Sequence, residues 1–188
     1  MREIMKEKRL FVVTGPSGAG LKELAGRLFE TRGDVAAVLP VTARKMKPGE
    51  RDGVGFRFFD LEGWEALRQS GDLIEQTELA GNDYGTSRAL VAESRRAGRN
   101  VLLNVEPERA AQIKKNMPEA VCLYVEPSDP EILLERWRQT ARSEIELKVR
   151  MREAERLRAL SGFCDEHIDS SNLQAAEREL TRLLDETK

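Results

Sequence analysis

Apolar residues along the chain fall into two alternating patterns. Leu10 to Val13 is a short, wholly apolar run, and Val35 to Leu39, Val101 to Val105 and Val121 to Val125 repeat it. Each is too short and too rich in valine or leucine for a free-standing helix, so each is predicted to be a strand buried on both faces, as in a parallel sheet. Between them the period changes to that of a helix. Over Leu21 to Thr31, Leu24, Ala25 and Leu28 fall on one face and Glu23, Arg27 and Glu30 on the other. Further helices are predicted over Leu61 to Gln69, Ser87 to Ala97, Pro107 to Asn116, Asp129 to Thr140, Ser143 to Leu160 and Leu173 to Asp185. Strands and helices taken in turn predict an α/β fold, a parallel sheet flanked by helical crossovers.

The segment from Val41 to about Gly85 breaks this alternation. Lys47-Pro-Gly-Glu-Arg-Asp-Gly53 and Gly81-Asn-Asp-Tyr-Gly85 are turn-rich, and Phe56, Phe58 and Phe59 lie in a strand-like stretch between them. A small, mostly antiparallel lobe over residues 41–86 is therefore expected as an insertion in a core formed by residues 1–40 and 87–188. Fraying is expected only at Met1 to Lys8 and after Leu184.

Composition narrows the possibilities. A chain of 188 residues that is 40% hydrophobic can bury one good core with a small appended lobe. Lys+Arg of 31 against Asp+Glu of 33 gives a net charge of -2 with the signs interspersed, so no nucleic-acid polymer is expected as a partner. The chain shows no signal-like segment and no apolar run that could span a bilayer, and it has only Cys122 and Cys164. A soluble cytoplasmic setting without a membrane partner is expected. Cys122 lies in an apolar strand and reads as core. His167 is the sole histidine and has no cysteine or histidine cluster around it, so no metal site is assigned.

The run Leu10-Phe-Val-Val-Thr-Gly-Pro-Ser-Gly-Ala-Gly-Leu-Lys-Glu23 carries the candidate chemistry. Gly, four residues, Gly, Lys, Ser/Thr is the phosphate-loop template, and it fits from Gly15 to Gly20. Leu21 then stands at the lysine position and Lys22 at the hydroxyl position. Glycines at 15, 18 and 20 let backbone N–H groups turn inward around an anion, and the helix that follows adds its positive end. These terms need no lysine side chain. Gly15, Ser17, Gly18, Ala19, Gly20, Leu21 and Lys22 are the expected donor-phosphate set. One step along a helix rotates a side chain by about 100°, which aims Lys22 at the place of a metal rather than of the phosphate. Its ammonium is expected to replace part of a magnesium ion's charge. The plain alternative is a strand-to-helix turn that binds nothing.

Several separated motifs in order give a resemblance to the guanylate kinase family from Phe11 to about Leu184. They are Gly15-Pro-Ser-Gly-Ala-Gly20, Val41-Thr-Ala-Arg44 with Lys47-Pro-Gly-Glu50-Arg-Asp-Gly53, Leu73-Ile-Glu75, Gly81-Asn-Asp-Tyr-Gly-Thr86 and Val101-Leu-Leu-Asn104-Val-Glu106. The resemblance implies a P-loop NTPase-type sheet domain, a nucleoside-monophosphate-binding lobe and a short helical lid at about 136–150. It implies GMP and ATP as ligands, with magnesium as a cofactor whose protein ligand is missing here.

Carried over residue by residue, the resemblance makes Arg44 and Tyr84 grip the GMP phosphate, Glu75 read the guanine edge and Thr86 contact the base. A carboxylate can accept from both the N1–H and the amino group of guanine, and a forked guanidinium suits a phosphate dianion. Other positions depart from the family. Lys47 replaces a second phosphate-binding arginine, Phe56 a tyrosine and Pro40 a serine, while Asn104 and Glu106 stand where the family has an acidic pair. Arg138, Arg142 and Arg150 are the implied lid arginines, alongside Arg136. Glu144 with Lys148 and Glu146 with Arg150 are also spaced as surface pairs. Trp64 and Trp137 read as packing residues.

Two functions remain open at this point. One is an ATP-dependent kinase making GDP from GMP, with Lys22 or a lid arginine replacing the lost lysine. The other is a catalytically inactive module holding a nucleotide or phosphorylated ligand. Each preorganised charge lost at a transition state costs about 3 kcal/mol, which weighs on the first.

Overall fold

The computed structural model describes residues 8–186. In chain order the elements are β1 (Leu10–Thr14), α1 (Leu21–Thr31), β2 (Val35–Ala36), β3 (Val41–Thr42), β4 (Arg57–Phe58), α2 (Leu61–Gln69), β5 (Leu73–Leu79), β6 (Asn82–Ser87), α3 (Arg88–Arg96), β7 (Asn100–Asn104), α4 (Pro107–Asn116), β8 (Val121–Glu126), α5 (Pro130–Arg138), α6 (Glu144–Leu160), β9 (Glu166–Asp169) and α7 (Leu173–Asp185). Most helices begin where the chain offers an oxygen to orphan N–H groups. Asp60, Ser87, Asp129, Ser143 and Asn172 each accept a backbone N–H of the following first turn. Pro130 and Pro107 open α5 and α4, where no N–H is needed.

Five strands form one parallel sheet in the order β2-β7-β1-β8-β9. Side chains of β1 alternate between its faces. Phe11 and Val13 meet Leu24, Leu28, Leu180 and Leu184 of α1 and α7 on one side. Leu10 and Val12 meet Val91 of α3, Ile113 of α4 and Met117 just past its end on the other, and Cys122 lies in that same layer. Both layers exclude water, which explains the unbroken apolar runs of β1, β7 and β8. A second sheet, β4-β3-β6-β5, is antiparallel at β3/β6 and β5/β6 and parallel at β3/β4. A third small core, Leu133, Trp137, Leu147 and Ala154, joins α5 to α6. Among the described residues no helix is long and apolar enough to cross a membrane.

Two local expectations differ from the structure. The run predicted over Val35 to Leu39 pairs only at Val35 and Ala36, because the chain then leaves the parallel sheet and Pro40 offers its carbonyl to Arg57 instead. Strand β9 was not expected. It is an edge strand in which Ile168 alone is buried, so it lacks the apolar run that reveals a strand covered on both faces. At the C-terminal end α7 has the predicted bounds, Leu173–Asp185, while most of the N-terminal stretch expected to fray, and residues 187–188, lie outside the described residues.

Candidate functional site

The glycine loop crosses the carboxyl end of β1, and its backbone is held from outside. Gly15 runs so close to β8 that a Cβ there would lie 2.1 Å from the Val125 carbonyl oxygen. Gly20, at φ 88°, begins α1 without any side-chain cap, leaving the first-turn N–H groups without intrahelical acceptors. From α5, Trp137 donates its Nε1–H to the Ser17 carbonyl at 2.9 Å, and Arg136 donates to the Gly18 carbonyl at 2.8 Å and to Ser170 O at 3.1 Å. The Ser17 and Gly18 carbonyls are thus held by α5 and the Ala19 N–H by the Pro16 carbonyl at 3.2 Å, and beside the loop lies a cavity of about 590 Å³ lined by residues 15–23 together with Asn104, Val105 and Glu106.

The expected donor-phosphate residues, Gly15, Ser17, Gly18, Ala19, Gly20, Leu21 and Lys22, all border this cavity. Leu21 is half-buried and packs against the core, so it lines the cavity without filling it. Lys22 is exposed and forms no ion pair among the described residues. Where the resemblance implies a hydroxyl ligand for magnesium the chain has Lys22, and Asn104 is neutral; Glu23 and Glu106 are the carboxylates that line the cavity, and no group of three acidic, cysteine or histidine side chains placed to hold a metal occurs among the described residues.

The lid arginines divide. Arg150 is committed, donating to Glu146 Oε1 at 2.5 Å and Thr140 Oγ1 at 3.0 Å. Arg138 and Arg142 are exposed, and neither guanidinium is paired among the described residues. Arg136, named in the lid by spacing, instead clamps the glycine loop. Trp137 packs as expected, and its hydrogen bond to the loop was not foreseen.

In the smaller sheet the guanidinium of Arg44 is 8% exposed and meets Glu50 through two bonds, Nη1–H to Oε2 at 2.6 Å and Nη2–H to Oε1 at 2.7 Å. Its Nε–H donates to the Tyr84 hydroxyl at 3.1 Å, and its Cζ lies 5.0 Å from the Phe56 ring centre and 5.1 Å from that of Phe58. Hydrogen bonds from Arg44 and from the Lys47 backbone N–H hold the Glu50 carboxyl down to about 2 from 4.5. The Lys47 side chain is exposed and unpaired among the described residues, and Phe56 stacks at a tilt on Tyr84. Arg44, Phe56 and Tyr84 thus come together, with Lys47 at their edge.

Glu75 sits at the floor of this lobe with its side chain 0% exposed. Thr86 donates its hydroxyl to Glu75 Oε1 at 2.6 Å, so these two residues meet as a unit. Sequence reasoning missed their third member. Arg109, in the first turn of α4, donates Nε–H to Glu75 Oε2 at 2.7 Å and Nη2–H to Oε1 at 2.6 Å. Burial opposes the charge on Arg109, but the bonds and field of Glu75 outweigh it and raise its pKa above the usual range. The signal lay in α4. Arg109, Gln112 and Asn116 repeat at i, i+3 and i+7, one helical face, while Ala110, Ile113 and Met117 fill the core. That polar face covers the free edge of β5: Gln112 Oε1 accepts from Gln76 N at 3.1 Å and Asn116 Nδ2 donates to Ile74 O at 2.9 Å. Above the floor lies a cavity of about 520 Å³ lined by Pro40, Phe56, Thr77, Leu79, Tyr84, Glu106, Glu108 and Arg109. Glu106 borders both this cavity and the one at the glycine loop, so a ligand in each would meet there. Asn104, which stands where the resemblance implies an acid near magnesium and guanine, borders only the loop cavity.

Comparison with known proteins shows which family the chain resembles. A family model described as guanylate kinase matches residues 7–187. A guanylate kinase of Synechococcus sp. (strain CC9311) is 37% identical over 178 residues, covering 94% of this chain and 93% of its own. Another, from Synechococcus sp. (strain JA-3-3Ab), is 33% identical over 94% of this chain and 82% of its own. In fold, the chain resembles the crystal structure of guanylate kinase from Anaplasma phagocytophilum with a TM-score of 0.64, at 20% identity over 96% of this chain and 85% of that one.

Proposed function

This chain belongs to the guanylate kinase family, and from that premise we propose that it holds ATP at the glycine loop and a nucleoside monophosphate, GMP in the first instance, in the smaller lobe, and passes the terminal phosphoryl group from one to the other. The observation that carries this reading is the open cavity at the uncapped start of α1, which adjoins the lobe's cavity at Glu106. In-line phosphoryl transfer asks mainly for positioning and charge neutralisation. Backbone amides and the positive end of α1 supply the first part of that charge. Lys22 and Arg138, exposed and without an ion pair among the described residues, supply the rest in place of the lysine that Leu21 replaces, together with Arg142, which is exposed and whose charge also acts on Glu146.

Arg44 and Tyr84 receive the monophosphate in this reading, with Lys47 beside them. The phosphate takes the place of the Glu50 carboxylate on the Arg44 fork, an exchange of one anion for another. Loss of the lysine from position 21 lowers the rate by roughly a hundredfold or more, so turnover is slow. A coupled assay of ADP release with ATP and GMP tests the proposal. It predicts weak turnover that Leu21→Lys increases. Absence of turnover in both proteins, with ATP still bound, would favour the second reading, a silent nucleotide-binding module, for which the neutral Asn104 and the missing metal ligand also speak.

A further inference from the structure

Within that monophosphate reading, on which this inference rests, we propose that Arg109 has taken over the base-facing position of the acceptor cavity, so that Glu75 reads no guanine and the site does not distinguish GMP from IMP. Glu75 has no exposed side-chain surface and is not among the cavity's lining residues, whereas Arg109 is. The two N–H groups that Arg109 lays on the two carboxylate oxygens, at 2.7 and 2.6 Å, form the same two-donor pattern that the N1–H and 2-amino group of guanine would present. Thr86 adds a third donor at 2.6 Å. The carboxylate is therefore satisfied from within the chain. A guanine that reached it would have to strip a guanidinium from a buried partner, and buried ions are costly to leave unpaired.

At the Glu75 floor the hydrogen-bonding sense is thereby inverted; Glu106 and Glu108 still line the cavity with carboxylates, Glu106 lying 3.5 Å from Arg109. A carboxylate floor accepts from donor edges, but a guanidinium floor donates to acceptor atoms. Arg109 has five N–H groups, of which two go to Glu75 and one lies 3.5 Å from Glu106 Oε2. The others are left for a ring carbonyl such as O6, which guanine and hypoxanthine share. Pro40, Phe56 and Leu79 supply apolar walls that a flat ring can lie against whatever its exocyclic groups. The ligand class is a nucleoside monophosphate whose base carries acceptor atoms, with the 2-amino group immaterial.

Calorimetric titration of the whole chain with GMP and with IMP, which differ only in that amino group, tests this. The wild-type protein is expected to bind the two within about fivefold, where a site built to pair the amino group would discriminate far more strongly. Arg109→Met, which keeps the aliphatic stem and uncovers Glu75, is expected to prefer GMP by more than that factor. The double variant Glu75→Gln with Arg109→Met removes both buried charges and is expected to show no preference. If Arg109→Met does not melt cooperatively, the wild-type ratio alone decides, since it needs no variant. Binding of GMP by Arg109→Met when the wild type binds neither ligand also supports the proposal. Wild-type preference for GMP above about fivefold overturns it while leaving the monophosphate reading intact. So does a well-folded Arg109→Met with no preference. If neither protein binds either nucleotide, the inference and the monophosphate reading fall together.

Discussion

At the scale of single residues, the account depends on positions 21 and 22. Leu21 packs on the core and leaves the cavity at the head of α1 open, and Lys22 beside it is exposed and is, among the described residues, the one cationic side chain lining that cavity. Lys22→Ala is expected to weaken ATP binding by roughly tenfold, the scale of a charge-assisted contact, and to make what binding remains depend on magnesium. Titration with and without chelator measures both effects. Leu21→Lys is expected to raise turnover by roughly a hundredfold, the usual worth of one preorganised charge, as read by the coupled ADP assay. The loop itself was legible in the sequence because its glycine spacing is local. The clamp from Arg136 and Trp137 was not, because it joins residues more than a hundred positions apart and leaves no periodic trace.

At the scale of elements, α4 decides how the two sheets meet. Its apolar stripe enters the core while Arg109, Gln112 and Asn116 close the edge of β5, so one helix positions the lobe against the parallel sheet. Arg109→Met leaves the buried Glu75 without its cation and is expected to lower stability by about 3 kcal/mol, measured by urea denaturation. The two lid groups are expected to separate by assay. Arg138→Ala and Arg142→Ala lower kcat with little change in melting, whereas Arg150→Ala, which removes an i,i+4 pair with Glu146, costs about 0.4 kcal/mol of stability. Helix starts were legible because Asp129, Ser143 and Pro107 are local signals. The Arg109–Glu75 pair spans 34 positions and follows from tertiary packing, which leaves no local signal at either residue.

For the whole molecule, the alternation of buried strands and helices specified the α/β layers, and the turn-rich break specified the second sheet. The polar edge strand β9 shows where that logic ends. The surface is laced with carboxylates held below their ordinary range, Asp34 and Glu50 chiefly by arginines, Glu146 by the Arg142 backbone N–H and the Arg150 side chain, and Asp169 by the Ser171 hydroxyl. A carboxyl depressed in the folded state contributes stability that is complete above its unfolded pKa and is lost as pH falls through the folded value. For Glu50 that window runs from 4.5 down to about 2, so acid titration followed by circular dichroism is expected to show stability falling through this range. The central claim is that the head of α1 still binds phosphate without the usual lysine and without needing a metal. Calorimetric titration of the wild-type chain with ATP, in magnesium and in chelator, tests it most directly. Binding in both, with affinities within about threefold as expected if Lys22 replaces the metal's charge, is the predicted result; no binding in either, or binding that appears only with magnesium, would contradict the account.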